Sequence, residues 1–210
     1  MSHGPAPAPD ATTIRRPPTV GAGRRTGWVM TLAGTVGRLA SFQLAVDDWR
    51  LLQDPAYQPP CDISPVVSCG SAMSSPQGSL LGFPTMLLGL AAFAAVTALG
   101  IAVLTGARLH RRLCLAPDAG ASVGVVFVHW LIGQSLYELN KICPYCAVVW
   151  VVTIALFWYV TVHCLDRGII PVAHGVLQIV RDTHWMLGTW YGVITLLVLT
   201  RFWPYWSTLL

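Results

Sequence analysis

The chain has 210 residues, of which 54% are apolar and only 10% charged, with a formal net charge of +4. A soluble domain carries about 25% charged residues, so this composition excludes an ordinary water-soluble globule, which would lack the polar surface to cover itself. All but one of the 13 basic residues are Arg and they form no basic stripe, which argues for orientation in a lipid bilayer and against binding nucleic acid.

Residues 1–26 are rich in Pro, Ala, Gly and Arg without apolar periodicity, and are expected to form a disordered cytoplasmic tail. The apolar run that follows is too long for a signal-peptide core, so the first span is expected to be retained. Residues 27–210 then read as one all-α integral membrane domain. Five segments approach the roughly 20 apolar residues that cross a bilayer: 28–46, 83–105, 121–139, 144–163 and 185–203. Each must be helical, because lipid offers no partner to backbone N–H and C=O groups. Trp28, Trp49, Trp185, Trp203 and Trp206 fall near span ends, as interfacial aromatics do.

Basic residues set the orientation. With the N-terminus inside, Arg15, Arg16, Arg24, Arg25, Arg108, Arg111, Arg112, Arg167 and Arg181 are cytoplasmic, against Arg50, Lys141 and Arg201 outside. That bias follows the positive-inside rule and puts the C-terminus outside after five crossings. Residues 47–82 form a long outer loop, with Asp47 and Asp48 marking the end of the first span. An inner connection at 166–182 contains an apolar stretch, 169–180, expected to form a short helix on the membrane surface.

Orientation also sorts the cysteines. Cys61 and Cys69 lie in the outer loop, and Cys143 and Cys146 open the fourth span. Both pairs follow an odd number of crossings, so all four thiols face the oxidising side. Cys114 and Cys164 fall at cytoplasmic positions, where thiols stay reduced, and read as small apolar residues.

Cys143-Pro144-Tyr145-Cys146 has specific physics. Pro144 suits the first turn of a helix, where its missing N–H would be unpaired anyway. Cys143 then sits at the helix N-terminus, whose partial positive charge stabilises a thiolate. Thiolates attack and leave in disulfide exchange. Cys146 lies one turn deeper, within reach of a lipid-soluble electron acceptor. Cys61 and Cys69 lie in a loop that is expected to be mobile, able to carry a disulfide between a soluble partner and Cys143. A static staple is the structural alternative. A four-cysteine zinc site is disfavoured by the seven-residue spacer of the first pair and the membrane depth of the second, so no metal is expected.

Several stretches carry a resemblance: the Cys61/Cys69 pair, Pro65-Val66-Val67-Ser68-Cys69-Gly70-Ser71, Ser74-Ser75-Pro76-Gln77, Gly82-Phe83-Pro84 and Cys143-Pro144-Tyr145-Cys146. Together they resemble the vitamin K epoxide reductase (VKOR) family in its bacterial form, over nearly all of the chain after the tail. The resemblance implies a four-helix bundle around a quinone pocket, with a fifth helix beside it. It implies a thiol oxidase working like DsbB in a bacterial inner membrane: it reoxidises a thioredoxin-fold, DsbA-like protein and passes electrons to menaquinone or ubiquinone. Carried over, Cys61 exchanges with the partner, Cys69 passes electrons to Cys143, and Cys146 faces the quinone. Ser75, Thr85 and Trp150 are the implied quinone contacts. Thr85 stands where relatives often have Asn, and Trp150 where animal members have Tyr, so plain quinone binding is carried over and epoxide chemistry is not. Some relatives carry a fused thioredoxin-like domain after the fifth helix. The chain ends there, so a separate partner protein is expected.

Two other functions fit less of the sequence. One is a quinone or quinone-epoxide reductase that consumes thiols as fuel. The other is a transporter or scaffold with static disulfides. Arg38, deep in the first span, is an ionisable residue at membrane depth, with burial in the bundle or snorkelling as the ordinary explanation. His129 and Gln134 are read as packed, satisfied side chains rather than ligand contacts, and Glu138 with Lys141 as a solvated pair.

Overall fold

The computed structural model describes residues 19–21, 23–79, 82–166 and 184–207. Residues 1–18 of the expected tail and the expected surface helix at 169–180 lie outside them. Two short strands, β1 (Thr19–Gly21) and β2 (Arg108–His110), pair antiparallel. Helices follow in the order α1 (Arg24–Gln53), α2 (Gly70–Met73), α3 (Thr85–Leu104), α4 (Arg111–Gly133), α5 (Pro144–Asp166), α6 (His184–Arg201) and α7 (Trp203–Trp206). A 3₁₀ turn spans Pro76–Ser79, and α4 runs on into a π-helical turn, Gln134–Leu139.

Among the described residues four helices are long and apolar enough to cross a membrane: Arg24–Gln53, Thr85–Leu104, Leu115–Leu139 and Pro144–Asp166. They match the first four expected spans. The fifth segment, α6, is a helix of 18 residues, about 27 Å long at 1.5 Å per residue. That is slightly short of a hydrocarbon core of about 30 Å, and its Trp, Tyr and Thr content dilutes its apolar character. It lies against the outside of the bundle: the Trp190 indole N–H donates to His129 Nε2 of α4 at 2.9 Å, and the Tyr191 hydroxyl to the Val151 carbonyl of α5 at 2.8 Å.

Small residues let α1 and α3 approach closely. A Cβ built on Gly34 would sit 2.9 Å from the Thr97 backbone nitrogen, and one on Gly100 would sit 2.7 Å from that of Thr31. Met30, Phe93, Val152, Leu156 and Val160 fill the core between α1, α3 and α5, together with Cys164. Cys164 is thus the buried apolar residue expected. The Cys114 side chain lies outside what the structure describes.

Two expected boundaries move. Helix α1 begins at Arg24, where residues up to 26 were expected to be tail, and the Arg25 guanidinium stacks over the Tyr159 ring at 5.5 Å. At its other end α1 continues through Asp47 and Asp48 to Gln53, so the outer loop starts at Asp54 and not at 47. Asp47 is fully buried and accepts hydrogen bonds from the Tyr57 hydroxyl at 3.0 Å and from Gln43 Nε2 at 3.3 Å. Those partners replace water around the carboxylate and let the helix carry it past the expected end. Arg38 is exposed on the outer face of α1, away from the cavity described next.

Candidate active site

The loop after α1 folds back over the start of α5. Val67 and Ile142 form a parallel bridge: Ile142 N–H donates to the Val66 carbonyl at 2.8 Å and Ser68 N–H to the Ile142 carbonyl at 3.1 Å. Lys141 Nζ donates to the Ser71 hydroxyl at 2.8 Å, so Lys141 clamps this loop to the α4–α5 connection. The loop expected to be mobile is therefore seated, and its register against the start of α5 is fixed by backbone bonds just before Cys69 and Cys143.

That register brings three of the four outer cysteines into one apolar cluster with Leu44 and Met73. Cys61 and Cys69 form a disulfide. The Cys143 Sγ lies 3.5 Å from Cys69 Sγ, and both residues are almost wholly buried. Cys146 follows on the first turn of α5, and its backbone N–H points at Cys143 Sγ at 3.4 Å. A hydrogen bond from the Cys146 side chain, reinforced by the backbone N–H groups of Cys146 and Tyr145, holds the Cys143 thiol below the usual thiol range despite burial. The direction agrees with the shift expected at this helix start, and the Cys146 side chain contributes most to it. A low-pKa thiol is also the better leaving group in exchange.

Sequence reasoning did not single out Asp62. Its Oδ1 accepts from the backbone N–H of Cys69 at 2.7 Å and of Gly70 at 3.1 Å. These are N–H groups at the start of α2, which a carboxylate caps as it would any helix start. The only sequence cue was its place next to Cys61. Removing the carboxylate in Asp62→Ala leaves a buried donor unpaired, at a cost of about 1–3 kcal/mol. The expected result is faster amide hydrogen exchange over residues 62–73 with α4 and α5 unchanged. Equal protection in the variant would show that the carboxylate does not hold Cys69.

Below the cysteines lies a cavity of about 500 Å³, within the usual size range of small-molecule sites. All four long helices line it, and its wall is mostly apolar, with Cys146 among its residues. The three side chains implied as quinone contacts, Ser75, Thr85 and Trp150, are all in its lining. The Ser75 hydroxyl donates to the Ala72 carbonyl at 2.7 Å and that of Thr85 to the Gln77 carbonyl at 3.0 Å, so their protons are engaged by the backbone. Trp150 differs: its indole N–H is buried without a hydrogen-bond partner.

His129 and Gln134 part company. His129 meets the Val125 carbonyl through Nδ1 at 2.7 Å and Trp190 through Nε2, which is the satisfied, packed role expected. Gln134 instead lines the cavity and joins Gln77, whose Nε2 donates to Gln134 Oε1 at 2.7 Å.

Membrane-length helices, an apolar cavity and a row of cysteines leading into it define a helical membrane protein equipped for thiol–disulfide chemistry. Residues 28–161 match the Vitamin K epoxide reductase family, a stretch that includes all four outer cysteines and all four long helices apart from their ends. The chain belongs to that family, and so to a class of membrane oxidoreductases. No curated protein sequence matches it.

Proposed function

We propose that this protein is a bacterial cell-membrane thiol oxidase, with its N-terminus cytoplasmic and its cysteine relay on the outer side. It reoxidises a thioredoxin-fold, DsbA-like protein and delivers the electrons to a membrane quinone, menaquinone or ubiquinone. The observation that carries this reading is the 3.5 Å approach of Cys143 to the Cys61–Cys69 disulfide at the mouth of an apolar cavity.

The exchange steps balance. A partner thiolate attacks Cys61 and Cys69 leaves; the partner's second thiol then displaces Cys61, and the partner departs as a disulfide. The Cys69 thiolate attacks Cys143 of a Cys143–Cys146 disulfide and Cys146 leaves. Cys61 then attacks Cys69 and Cys143 leaves, which restores Cys61–Cys69 with Cys143 and Cys146 as thiols, the state of the present structure. A bound quinone supplies the sink for two electrons and two protons as Cys143 and Cys146 close again into a disulfide. The cavity fits such a ligand: apolar side chains face a ring and isoprenoid tail, and Trp150 has a free N–H for an acceptor oxygen. Ser75 and Thr85 line the same space.

Purified protein in lipid nanodiscs, given a reduced thioredoxin-fold protein and a soluble quinone, is expected to produce quinol and partner disulfide in equal amounts. Quinol is followed by its ultraviolet spectrum and partner thiols by alkylation. Partner oxidation without quinol, or quinol without partner oxidation, would remove this reading.

A further inference from the structure

The cavity holds a second polar feature besides Trp150, the side-chain amides of Gln77 and Gln134. Gln77 Nε2 donates to Gln134 Oε1 at 2.7 Å, and Gln77 Oε1 is buried with no hydrogen-bond partner. Both residues line the cavity. A buried amide oxygen left unpaired is unfavourable, and a ligand donor in the cavity would complete it.

Both amides stand on irregular backbone that other contacts hold. Gln77 is in the 3₁₀ turn Pro76–Ser79, where the Thr85 hydroxyl fixes its carbonyl. A Cβ on the next residue, Gly78, would lie 2.5 Å from the Met73 carbonyl oxygen, so this turn is pressed tightly against α2. Gln134 opens the π-helical turn at the end of α4, a form of helix found often at functional sites. Arg201 of α6 braces that turn: its Nε donates to the Leu136 carbonyl at 3.0 Å, and its guanidinium also meets the Asn140 side chain.

We propose that Gln77 and Gln134 form a reversible amide pair that holds one ring oxygen of the quinone and, after reduction, of the quinol. This rests on the cavity being the quinone site. A quinone carbonyl only accepts hydrogen bonds, whereas a quinol hydroxyl also donates. In the orientation observed, the free Gln77 Oε1 takes a quinol hydroxyl. If both terminal amides turn over, a rotation that their broad terminal torsions allow, Gln134 Nε2 donates to Gln77 Oε1. Gln77 Nε2 then faces the cavity as a donor to the quinone carbonyl. The bond between the amides survives in either state, and each redox form of the ligand meets the group it needs. The pair makes the site selective for rings whose oxygens change between carbonyl and hydroxyl.

The test is equilibrium binding of menadione and of menadiol to the full-length protein in detergent, followed by quenching of tryptophan fluorescence. 2-Methylnaphthalene, a ring of the same size with no oxygen, is the comparison ligand. Gln77→Met keeps the side-chain length and removes both polar atoms. It is expected to weaken menadione and menadiol about tenfold each, the scale of one hydrogen bond, and to narrow their advantage over the oxygen-free ring. Gln134→Met, which frees the Gln77 amide from its holder, is the second variant should the first fail to fold, and it is expected to weaken both ligands in the same way. Affinities within twofold of the unmodified protein overturn the amide-pair proposal alone. If the unmodified protein fails to bind menadione, the quinone reading falls with it.

Discussion

Cys146→Ser is expected to abolish partner-dependent quinol formation while leaving Cys143 able to react with Cys69. The two functions separate because the thiols occupy different places. Cys143 lies 3.5 Å from Cys69 Sγ, and Cys146 lines the cavity. Without Cys146, no second thiol is available to close a disulfide with Cys143, so two electrons cannot leave the relay. The loss should reach background, at least about a hundredfold, as when one member of a catalytic unit is removed. Cys143→Ser should lose as much, because nothing then bridges Cys69 to Cys146. The double variant Cys61→Ser/Cys146→Ser gives the positive counterpart. It leaves Cys69 and Cys143 as facing thiols, and diamide should oxidise them to a single disulfide while being reduced to its hydrazine. Peptide mapping reads that bond directly. A Cys146→Ser protein that still reduces quinone, or a double variant that forms no Cys69–Cys143 link, would sink the relay.

The seating of this relay has a consequence for partner access. Cys61 is only 5% exposed, so the proposed exchange with a partner thiolate requires the segment around it to lift from the cluster. The loop was expected to swing freely. The structure holds it by two backbone bonds to Ile142, just ahead of α5, and by the Lys141–Ser71 contact. Val66 and Ser68, which make the two backbone bonds, are themselves buried, so lifting the segment breaks these bonds before water can replace them.

Some of this was legible in the sequence for a plain physical reason. A span of about 20 apolar residues is a local property, and so is the parity of crossings that puts Cys61, Cys69, Cys143 and Cys146 on one face. Trp150 was legible through its place four residues after Cys146 in a familiar motif. What was hidden depends on pairs distant in sequence. Asp47 looked like a helix end because Tyr57, which folds back onto it, lies beyond that end. Gln134 was set aside as a packed side chain because its partner, Gln77, is 57 residues away. His129 carried the same ambiguity, and only Trp190 on α6 resolves it as structural. Asp62 gave no pattern, since its acceptor role depends on a chain reversal between Cys61 and Cys69 that spacing alone does not specify.

The largest effect on stability is expected at the α1–α3 contact. Gly34 and Gly100 face opposite helices at nearly symmetrical sites. A Cβ at Gly34 meets Thr97 Oγ1 at 2.6 Å and the Thr97 backbone nitrogen at 2.9 Å. A Cβ at Gly100 meets Thr31 Oγ1 at 2.6 Å and the Thr31 backbone nitrogen at 2.7 Å. A threonine side chain can turn away, but a backbone nitrogen cannot, so any larger residue pushes the two helices apart. Overpacking of this kind typically costs about 1–3 kcal/mol, and Gly34→Leu or Gly100→Leu should fall at or above the upper end. The damage should reach the site as well, because α1 and α3 both line the cavity through Met30, Leu44, Phe93 and Leu99. Spreading them widens the cavity that Trp150 lines. Gly192 on α6 has nothing within 4 Å of a built Cβ, so Gly192→Ala is the control and should lose no stability. Thermal unfolding of the detergent-solubilised proteins, read by circular dichroism, separates these outcomes. Leucine variants that melt with the unmodified protein would show that close helix approach is not what holds the bundle together.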